Sequence, residues 1–487
     1  MGVISDKQPA LSTAVTGSDD LTPLFVDLDG TLLLTDTLAE MAVDFLKNAP
    51  WKAPLLLIWL MRGRAHLKSR LAEFWTPNPA TLPFNQEVLE YLRAEHSNGR
   101  PLILATACPE RVARRIADYL GIFSSVLATS ETVNLKGKRK AAAIRSLVGE
   151  KFLYAGNSSA DFAIWDQSAG AVLAGAPRHF GARLKKDGIP IVATFPPPRK
   201  RLWRILRAHQ WVKNVLILLP IATSHRFFDP ALLTIALTAF AAFSLTASAI
   251  YIVNDILDVE SDREHPHKRS RPFASGSVPL AWGAVAALVL VLASAALSLA
   301  LPVNARWLLL AYLAATMAYS LKLKRMLFAD VLALAAFYTM RVLFGGAATG
   351  IQISSWTLAF FMFVFLALAL TKRLSELRLK SASPDAGLPG RGYHVVDIPQ
   401  ITGLAAASSY ASVVVFALYI NSPEALALYR HPERLWLICP FLIYWLSRFL
   451  LISNRGTLHH DPIVFATRDR GSYVVACCVA VIVLFSM

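Results

Sequence analysis

Hydrophobic residues follow two different patterns along the chain. In the first part, short apolar runs alternate with amphipathic stretches, which predicts strands at 24–26, 101–105 and 152–155 and helices over 110–120 and 140–147. Strands that alternate with helices are typical of a parallel sheet covered by helices, so this part predicts an α/β, Rossmann-like domain. Beyond it, long apolar runs dominate and indicate membrane-spanning helices.

A proline-rich, basic segment separates the two patterns. Three prolines and then three cations follow Phe195. Consecutive prolines act as a stiff spacer, and a run of cations suits an anionic membrane surface. The predicted organisation is therefore an α/β domain over 21–195, a linker over 196–208 and an all-helical membrane domain over 209–487.

Nine apolar runs of the second part are candidate transmembrane helices. They span 212–224, 231–253, 280–303, 307–320, 328–348, 353–371, 399–420, 435–452 and 472–487. If the N-terminus lies inside, the inner loops carry 15 Lys and Arg and the outer loops carry 4. Cytoplasmic loops of multi-pass proteins show this excess of cations, so the bias supports a count of about nine.

A shorter apolar run lies within the α/β part. Residues 50–62 are mostly hydrophobic but too few to span a bilayer. Two interpretations are open. The run forms either a helix buried in its own domain or a helix that lies in the membrane interface.

The composition agrees with a membrane protein. Of 487 residues, 55% are hydrophobic and 17% are charged, which excludes a disordered chain and a fibrous repeat and argues against a wholly soluble protein. The net charge of +16 is uneven, since residues 1–198 contribute +3 and residues 199–487 contribute +13. Cations in the apolar part indicate cytoplasmic loops or anionic ligands, so we expect a lipid bilayer and no nucleic acid as partner.

The N-terminus and the cysteines indicate the compartment. The first 22 residues are polar and lack the apolar stretch of a signal peptide. The 4 cysteines show neither a disulfide framework nor metal-ligand spacing, which fits a reducing compartment or a membrane interior. We therefore expect a multi-pass protein of the inner (cytoplasmic) membrane with a cytoplasmic N-terminal domain.

Two carboxylates follow the first predicted strand, in the sequence Asp27-Leu-Asp29-Gly-Thr31. On a turn, two acids at this spacing can point to the same side, so that one attacks a phosphorus atom while the other protonates the leaving oxygen. Carboxylate oxygens also suit Mg²⁺. The loop resembles the first motif of the haloacid dehalogenase superfamily of phosphohydrolases, and the resemblance extends over residues 21–195.

That resemblance implies specific roles and a cap. Asp27 is the implied nucleophile, Asp29 is the general acid/base, and both contribute to a Mg²⁺ site. Thr106, at the end of the second strand, and Lys140, at the start of a helix, would bind the phosphoryl group, with Lys136 as the alternative to Lys140. The stretch between Thr31 and Thr106 is long enough for a helical cap.

One residue departs from the pattern of this superfamily. Asn157 and Asp161 match the fourth motif and would complete the Mg²⁺ site, but that motif usually begins with Asp where this chain has Asn157. An amide still offers an oxygen ligand but removes one negative charge, so we expect weaker metal binding. The resemblance favours an active phosphatase, and a degenerate domain kept as a scaffold is the alternative.

A second acidic motif, formed by Asn254, Asp255, Asp258 and Asp262, lies where the second apolar run meets the cytoplasm. Residues 254, 258 and 262 recur every four positions, which predicts that they line one face of a helix. Carboxylates at a membrane boundary are costly unless they bind a ligand, and their hard oxygens suit Mg²⁺ that carries a diphosphate.

Basic residues follow this motif directly. They are Arg263, Lys268, Arg269 and Arg271. Acids for a metal next to cations for phosphate oxygens form the pattern of a diphosphate site.

The second acidic motif, together with about nine spans, resembles the UbiA superfamily of intramembrane prenyltransferases over about 200–487. Within that superfamily, residues 251–272 and 210–214 look like the signature of decaprenyl-phosphate phosphoribosyltransferases. Those enzymes move 5-phosphoribose from phosphoribosyl diphosphate to a polyprenyl phosphate. The resemblance implies that the three aspartates of the motif are catalytic and bind Mg²⁺, and that Asn254 and Lys213 contact the substrate.

Further polar residues help to choose between donors. The aromatic prenyltransferases of the superfamily carry a second Asp-rich motif after the sixth span, where this chain has Lys372, Arg373 and Glu376. Two cations at that place suit a sugar-phosphate donor or a lipid phosphate. Lys324 follows the fourth span and Arg341 lies inside the fifth, and an intramembrane arginine is a candidate functional residue.

The sequence thus predicts a Mg²⁺-dependent membrane transferase that moves 5-phosphoribose to a polyprenyl (decaprenyl) phosphate, with a fused phosphatase that removes the 5-phosphate. An alternative keeps the fold and moves a polyprenyl group from its diphosphate to an aromatic acceptor of the hydroxybenzoate type. A transporter with a regulatory domain is a third interpretation, but it gives no reason for an acidic motif beside a basic cluster.

Overall fold

The computed structural model describes residues 22–130, 134–198, 202–266, 268–379, 387–388, 391–456 and 462–487. The N-terminal 21 residues and the cations at 199–201, on which two of the predictions above rest, lie outside the described residues. The chain forms two compact units. The first contains the chain up to Leu202 together with Asp255–Ala284, and the second contains Trp203–Asn254 together with Val285–Met487.

Six strands form one sheet in the first unit. They are Leu24–Val26 (β1), Leu102–Pro109 (β2), Ser125–Thr129 (β3), Leu153–Gly156 (β4), Gly170–Ala174 (β5) and Ile191–Phe195 (β6). Their order is β3-β2-β1-β4-β5-β6, and every neighbouring pair is parallel. The wholly apolar β1 lies buried between β2 and β4, as expected for a central parallel strand. The predicted α/β class is confirmed.

Helices cover this sheet and form an insertion between β1 and β2. They are Thr37–Asn48 (α1), Ala53–Met61 (α2), Arg64–Phe74 (α3), Gln86–Ser97 (α4), Glu110–Leu120 (α5), Lys138–Val148 (α6), Phe162–Trp165 (α7) and Arg178–Lys186 (α8). The insertion of α1 to α4 occupies the stretch in which a helical cap was predicted. α5 coincides with a predicted helix because its buried residues recur at helical spacing, and it ends at Gly121 in the left-handed conformation.

The apolar run at 50–62 forms a short 3₁₀ turn followed by α2. No residue of α2 is buried, so the interpretation as a buried helix is wrong. Leu55, Leu56 and Trp59 pack partly against the core of the first unit, whereas Leu57 and Met61 are exposed. The interfacial interpretation is taken up below.

The remaining helices continue along the chain. They are Leu219–Thr223 (α9), Pro230–Leu257 (α10), Val259–Glu264 (α11), Leu280–Ser298 (α12), Val303–Leu321 (α13), Ala329–Thr349 (α14), Ser355–Arg378 (α15), Ile398–Ile420 (α16), Pro423–Leu428 (α17), Ile438–Asn454 (α18), Pro462–Ala466 (α19) and Arg470–Ser486 (α20). α11 belongs to the first unit, although the sequence assigns it to the membrane domain. The predicted domain limits therefore stay a prediction.

Six of the described helical stretches are long and apolar enough to cross a membrane. They are Pro230–Leu257, Leu280–Ser298, Ala329–Thr349, Ser355–Arg378, Val395–Ile420 and Pro432–Asn454. α13 and α20 coincide with two further predicted spans. The first predicted span is instead a 3₁₀ stretch, Ala208–Leu218, followed by α9. The structure supports a multi-pass membrane protein, and the count of nine stays a prediction.

Candidate active sites

The first acidic loop lies at the carboxyl end of β1. This strand pairs with β2 on one side and with β4 on the other. The strands β2 and β3 extend the sheet to one side of β1, and the strands β4 to β6 extend it to the other side. Ligands of open α/β sheets bind at such a reversal of strand order, because the loops on its two sides separate there. The sheet therefore places Asp27 and Asp29 where a substrate can reach them.

A chain of polar contacts starts at Asp27. Lys140 of α6 lies 2.9 Å from the Asp27 carboxylate and also donates to the Tyr154 hydroxyl over 2.9 Å. Tyr154 in turn donates to Asp161 over 3.1 Å. Burial, and next the charge of Asp27, raise the pKa of Tyr154 well above its usual value, so the phenol remains a donor. The structure brings together three of the predicted residues and adds Tyr154, which its position within an apolar strand had concealed.

Asp29 is held by the start of α1. It accepts hydrogen bonds from the Thr37 backbone N–H at 2.9 Å and from the Thr37 hydroxyl at 3.1 Å. Burial is the main cause that raises the pKa of Asp29 to about 7, and the nearby Asp36 adds to it. Burial also raises the pKa of Asp27, although Lys140 opposes the shift. A carboxyl group that titrates near neutral pH suits a general acid/base.

This pKa predicts a pH dependence of stability without metal. A carboxylate whose pKa rises on folding costs stability above its unfolded pKa, and the cost grows with pH until the folded pKa near 7. In the presence of a chelator, Asp29→Asn should therefore raise the free energy of unfolding by up to about 4 kcal/mol at about pH 8. At about pH 4 it should leave the free energy of unfolding almost unchanged. Denaturant melts of both proteins across this range check it, with the exposed Asp118→Asn as control. An equal effect at both pH values would contradict it.

Three other predicted residues surround the first acidic loop. Thr106 is fully buried, and its hydroxyl accepts a hydrogen bond from the Cys108 backbone at 3.0 Å. The Asn157 amide approaches Gly30 so closely that a Cβ on Gly30 would lie 2.2 Å from its nitrogen. Asp161 accepts from the backbone N–H groups of Asn157 and Ser158, so its carboxylate orders the loop after β4.

Mg²⁺ fits this loop by its donor set. Two partly buried carboxylates, Asp27 and Asp29, have raised pKa values that a cation would lower, and the Asn157 amide reaches the same loop. The hydroxyl of Thr31 is buried without a hydrogen-bond partner. In the described part of the chain, no three His, Cys, Asp or Glu side chains form a closed metal cluster. A metal at this place would therefore depend on amide, water and phosphate oxygens as well.

The second acidic motif differs from its prediction in one respect. α10 ends at Leu257 and α11 begins at Val259, so Asp258 lies at a break and the expected single helix over 254–262 is wrong. The turn is retained because the Asp262 N–H still donates to the Asp258 carbonyl at 2.8 Å. Arg271 bridges two of the carboxylates, at 3.2 Å from Asp255 and 2.5 Å from Asp262.

The motif can accept a cation after a change of partner. The Asn254 side-chain oxygen is buried and has no hydrogen-bond partner, so it is available as a ligand. Asp255 and Asp262 are almost fully buried and share Arg271 as their counter-ion. Mg²⁺ would supply positive charge in place of the guanidinium, so these residues fit the metal if Arg271 moves to phosphate oxygens.

The other cations of this segment have different surroundings. Arg263 lies 2.6 Å from the buried Glu40 of α1 and also donates to the Ala274 carbonyl at 3.1 Å. A role of Arg263 in substrate binding would require this buried pair to open. Lys268 and Arg269 are exposed, as cations must be to reach a soluble anion.

A basic cavity of about 230 Å³ lies within the second unit. Five cations line it, and no carboxylate is found among its described lining residues; the cations are Lys213, Arg341, Lys372, Arg373 and Arg391. Aromatic and hydroxyl side chains complete the wall, including Tyr251, Tyr312 and Ser320. Asn254 also lines the cavity, and the next residue of the same helix is Asp255.

Arg341 is fixed at one side of this cavity. Its guanidinium donates to the Asn214 side chain at 2.9 Å and to the Tyr312 hydroxyl at 3.1 Å, and no carboxylate pairs with it among the described ion pairs. The 3₁₀ stretch that carries Lys213 comes close because Gly345 has no side chain: a Cβ there would lie 2.1 Å from the Ile217 carbonyl. An intramembrane cation held by neutral groups keeps its charge available to an anionic ligand.

A buried ionic network holds two other cations of the cavity, Arg373 and Arg391. Asp330 accepts from Arg373 at 2.6 Å, from Arg391 at 3.2 Å and from Tyr393 at 2.5 Å. Arg373 also pairs with Glu376, so Glu376 holds a cation rather than lining the cavity. The sequence did not predict a role for Arg391, because it lies in a loop after α15. Its place in the cavity lining depends on the ion pair with Asp330, which is distant in sequence.

Lys324 lies in a short 3₁₀ turn, Leu323–Arg325, and does not line the cavity. The structure thus places four predicted cations and Asn254 in the lining of one cavity, while Lys324 is not among the lining residues. The four cations are Lys213, Arg341, Lys372 and Arg373.

The two units match two enzyme families. Residues 215–467 match the UbiA prenyltransferase family, and residues 24–164 match the haloacid dehalogenase-like hydrolases. The chain belongs to the UbiA prenyltransferase family. Both predicted resemblances are thereby confirmed, and the chain is an enzyme with a transferase domain and a haloacid dehalogenase-like domain.

Several proteins are similar to this UbiA family member. The uncharacterized protein y4nM of Sinorhizobium fredii is 35% identical over 462 residues, which cover 94% of this chain and 90% of that protein. A decaprenyl-phosphate phosphoribosyltransferase of Mycobacterium tuberculosis is 39% identical over 194 residues, which cover 39% of this chain and 64% of that protein. A UbiA homolog from Archaeoglobus fulgidus, solved with DMAPP and Mg²⁺, is 16% identical with a TM-score of 0.45, and the match covers 59% of this chain and 98% of that one.

Proposed function

We propose that the chain transfers 5-phosphoribose from phosphoribosyl diphosphate to a polyprenyl phosphate. The observation that carries this proposal is the cavity lined by five cations, two of which, Arg373 and Arg391, pair with Asp330. The donor bears a diphosphate and a separate phosphate, and the acceptor brings another phosphate. A prenyl diphosphate with an aromatic acceptor needs fewer cations, so the charge of the cavity favours the sugar-phosphate donor.

The similarity to the mycobacterial enzyme supports the same donor. That relative is called a decaprenyl-phosphate phosphoribosyltransferase, and the match covers 39% of this chain. The lipid chain is expected to reach the cavity from the bilayer, which its aromatic wall suits.

The chemistry follows from where charge develops. The bond between the anomeric carbon and the diphosphate oxygen breaks, and the carbon gains oxocarbenium character. A phosphate oxygen of the lipid then forms the new bond to that carbon, and the diphosphate leaves with both electrons of the broken bond. Bound Mg²⁺, held by Asp255, Asp258 and Asp262 with Asn254, would neutralise charge on the departing group. Arg271 and Lys268 would contact its oxygens.

We further propose that the haloacid dehalogenase-like domain removes the 5-phosphate from the lipid-linked sugar. Asp27 attacks the phosphorus atom and forms an aspartyl phosphate, while Asp29 protonates the leaving sugar oxygen. Water then attacks the aspartyl phosphate after Asp29 takes its proton, which releases inorganic phosphate and restores both carboxyl groups. Lys140, 2.9 Å from Asp27, stabilises the transferred phosphoryl group. Fusion of both domains raises the effective concentration of the intermediate.

The cellular placement is part of the proposal. We place the protein in the inner membrane with its N-terminal domain in the cytoplasm, since inner loops are richer in cations than outer loops. Phosphoribosyl diphosphate is a soluble anion, so a cytoplasmic opening of the site would give it access.

Arg391 provides a test of the basic cavity. Arg391→Gln removes one cation from the lining, so the KM for phosphoribosyl diphosphate should rise about tenfold, which corresponds to ~1.4 kcal/mol. Initial rates of lipid labelling at varied donor concentration measure it. Arg325→Gln, an exposed arginine that does not line the cavity, is the matched control and should leave the KM unchanged. Equal KM values for all three proteins would contradict the assignment.

Asn157 provides a test of the phosphatase metal site. Asn157→Asp returns one negative charge to the ligand set, so half-maximal phosphate release should need about tenfold less Mg²⁺. Phosphate release against Mg²⁺ concentration measures this shift. Asn98→Asp adds the same charge at an exposed position of the first unit and should not change the requirement. A requirement that Asn157→Asp leaves unchanged would place the metal elsewhere.

The donor is tested by offering both candidates. Purified protein in lipid should label polyprenyl phosphate from phosphoribosyl diphosphate, and should not join a polyprenyl diphosphate to an aromatic acid. The opposite pattern would overturn the proposal in favour of aromatic prenyl transfer.

A further inference from the structure

Helix α2 and the turn before it present an apolar surface that no described residue of the first unit covers. Trp51 is 74% exposed, Leu57 is 67% exposed and Met61 is 88% exposed. Ile58 and Leu60 are also exposed large hydrophobic residues. An apolar patch on a short segment of a folded domain marks an interaction site when it is contiguous. These five residues, called the α2 patch below, lie within eleven consecutive positions.

The other side of α2 anchors the helix to its own domain. Leu55, Leu56 and Trp59 pack partly against the core, and the Trp59 ring lies 5.3 Å from the Phe45 ring. A second ring contact joins Trp59 to Phe74 at 6.2 Å. α2 is therefore apolar on all sides. One side packs against the core of the first unit and holds the helix in place, and the other side keeps the patch exposed at the surface. A helix with this composition is stable only if a second apolar environment covers its exposed side.

Cations surround the α2 patch. Lys52, Arg62 and Arg64 are exposed at the two ends of α2. No Asp or Glu occurs in the sequence from residue 45 to residue 72. Exposed leucine, isoleucine, methionine and tryptophan side chains between cations are the pattern of a helix that lies in the interface of an anionic bilayer. Trp51 adds a residue type that prefers the headgroup level.

We infer that α2 docks the first unit onto the anionic leaflet of the membrane that holds the rest of the chain. The α2 patch enters the boundary between headgroups and acyl chains, and Lys52, Arg62 and Arg64 contact lipid phosphates. The bilayer is the favoured occupant because six helical stretches in the described part of the same chain are apolar and long enough to cross it. With its 9 residues, α2 is too short to span it.

Docking has a consequence for the phosphatase, and this consequence rests on the proposed function. A phosphate ester attached to a lipid stays at the membrane surface, so a domain held at that surface meets it without dissociating. The docking itself does not depend on that activity, and it is tested by a physical measurement.

The test uses the full chain in nanodiscs with an environment-sensitive fluorophore. Cys477→Ala and Cys478→Ala remove the more accessible thiols, since Cys108 and Cys439 are buried. The fluorophore is attached at Leu57→Cys, and separately at Tyr119→Cys, a 54% exposed position of α5 that serves as control. Lipids with a nitroxide on the upper acyl chain should quench about half of the fluorescence at position 57, because an interfacial helix lies ~5–10 Å below the headgroups. Position 119 should not be quenched.

Charge reversal tests the lipid contribution. Lys52→Glu, Arg62→Glu and Arg64→Glu combined should reduce the quenching at position 57 in anionic nanodiscs and abolish the difference between anionic and zwitterionic lipid. These residues are exposed, so the substitutions leave the core intact. Quenching of position 57 by aqueous iodide as strong as at position 119 would overturn the proposal. Protection from both iodide and nitroxide lipid would overturn it too, because a protein would then cover the patch.

Discussion

Asp258→Ala should reduce the transfer of 5-phosphoribose to polyprenyl phosphate by at least about a hundredfold, the loss expected when a group that stabilises leaving-group charge is removed. Asp258 lies at the break between α10 and α11, where the chain turns without a regular helix. In the proposed mechanism its carboxylate contributes negative charge to the metal site beside Asp255 and Asp262, which share Arg271 as a counter-ion. Labelled donor, purified protein and a lipid extraction measure the effect.

The matched control for this variant is Glu264→Ala. Glu264 is an exposed carboxylate at the end of α11. Its removal changes the net charge by the same amount as the removal of Asp258 and leaves the acidic motif intact. Phosphate release by the first unit should persist in both variants and shows that the chain is folded. Transfer by Asp258→Ala at the wild-type rate would remove the second acidic motif from the mechanism.

Asp27→Asn should reduce phosphate release by at least about a thousandfold, as expected for loss of a nucleophile. The amide has the size of the carboxylate but cannot form the aspartyl phosphate, and it also loses the ion pair with Lys140 at 2.9 Å. A coupled assay for inorganic phosphate, with the phosphoribosyl lipid as substrate, measures the loss.

The Asp27→Asn variant should still transfer 5-phosphoribose, because none of the residues proposed for the transfer reaction lies in the loop after β1. This retained activity shows that the chain is folded, and Asp118→Asn should keep both activities. Phosphate release by Asp27→Asn at the wild-type rate would remove Asp27 from the reaction and contradict the proposed phosphatase site.

Local patterns were sufficient to predict the α/β class of the first unit and some of its elements. The apolar β1 before two carboxylates fixes a buried strand with an acidic loop, and the helical spacing of buried residues fixes α5. Residues of both elements belong to the hydrophobic core of this unit. Asp27 and Asp161 follow the neighbouring parallel strands β1 and β4, whose carboxyl ends meet at one edge of the sheet, and Lys140 reaches Asp27 from the start of α6.

Contacts distant in sequence were not predictable in the same way. Arg391 reaches the cavity only through Asp330, which lies 61 positions earlier. Tyr154 connects Lys140 with Asp161, although a tyrosine in an apolar strand indicates nothing beyond packing. Glu40 pairs with Arg263, which lies 223 positions later in the sequence. Pairings of this kind depend on tertiary structure, which periodicity does not encode.

The second acidic motif shows a different limit. The four-residue spacing predicted one continuous helix, and helical hydrogen bonding does resume after the break. Spacing does not reveal where a helix ends when charged residues compete for its last turn. Asp255 and Asp262 bind Arg271, and α10 ends between them.

The central claim is that one chain adds 5-phosphoribose to a lipid and then removes the phosphate. The most direct measurement supplies the purified protein with polyprenyl phosphate and with phosphoribosyl diphosphate that carries one label on the ribose carbons and another on the 5-phosphate. The account predicts lipid that carries the ribose label without the phosphate label, with the phosphate label recovered as inorganic phosphate. A lipid that gains neither label, in a preparation that joins a polyprenyl diphosphate to an aromatic acid, would contradict it.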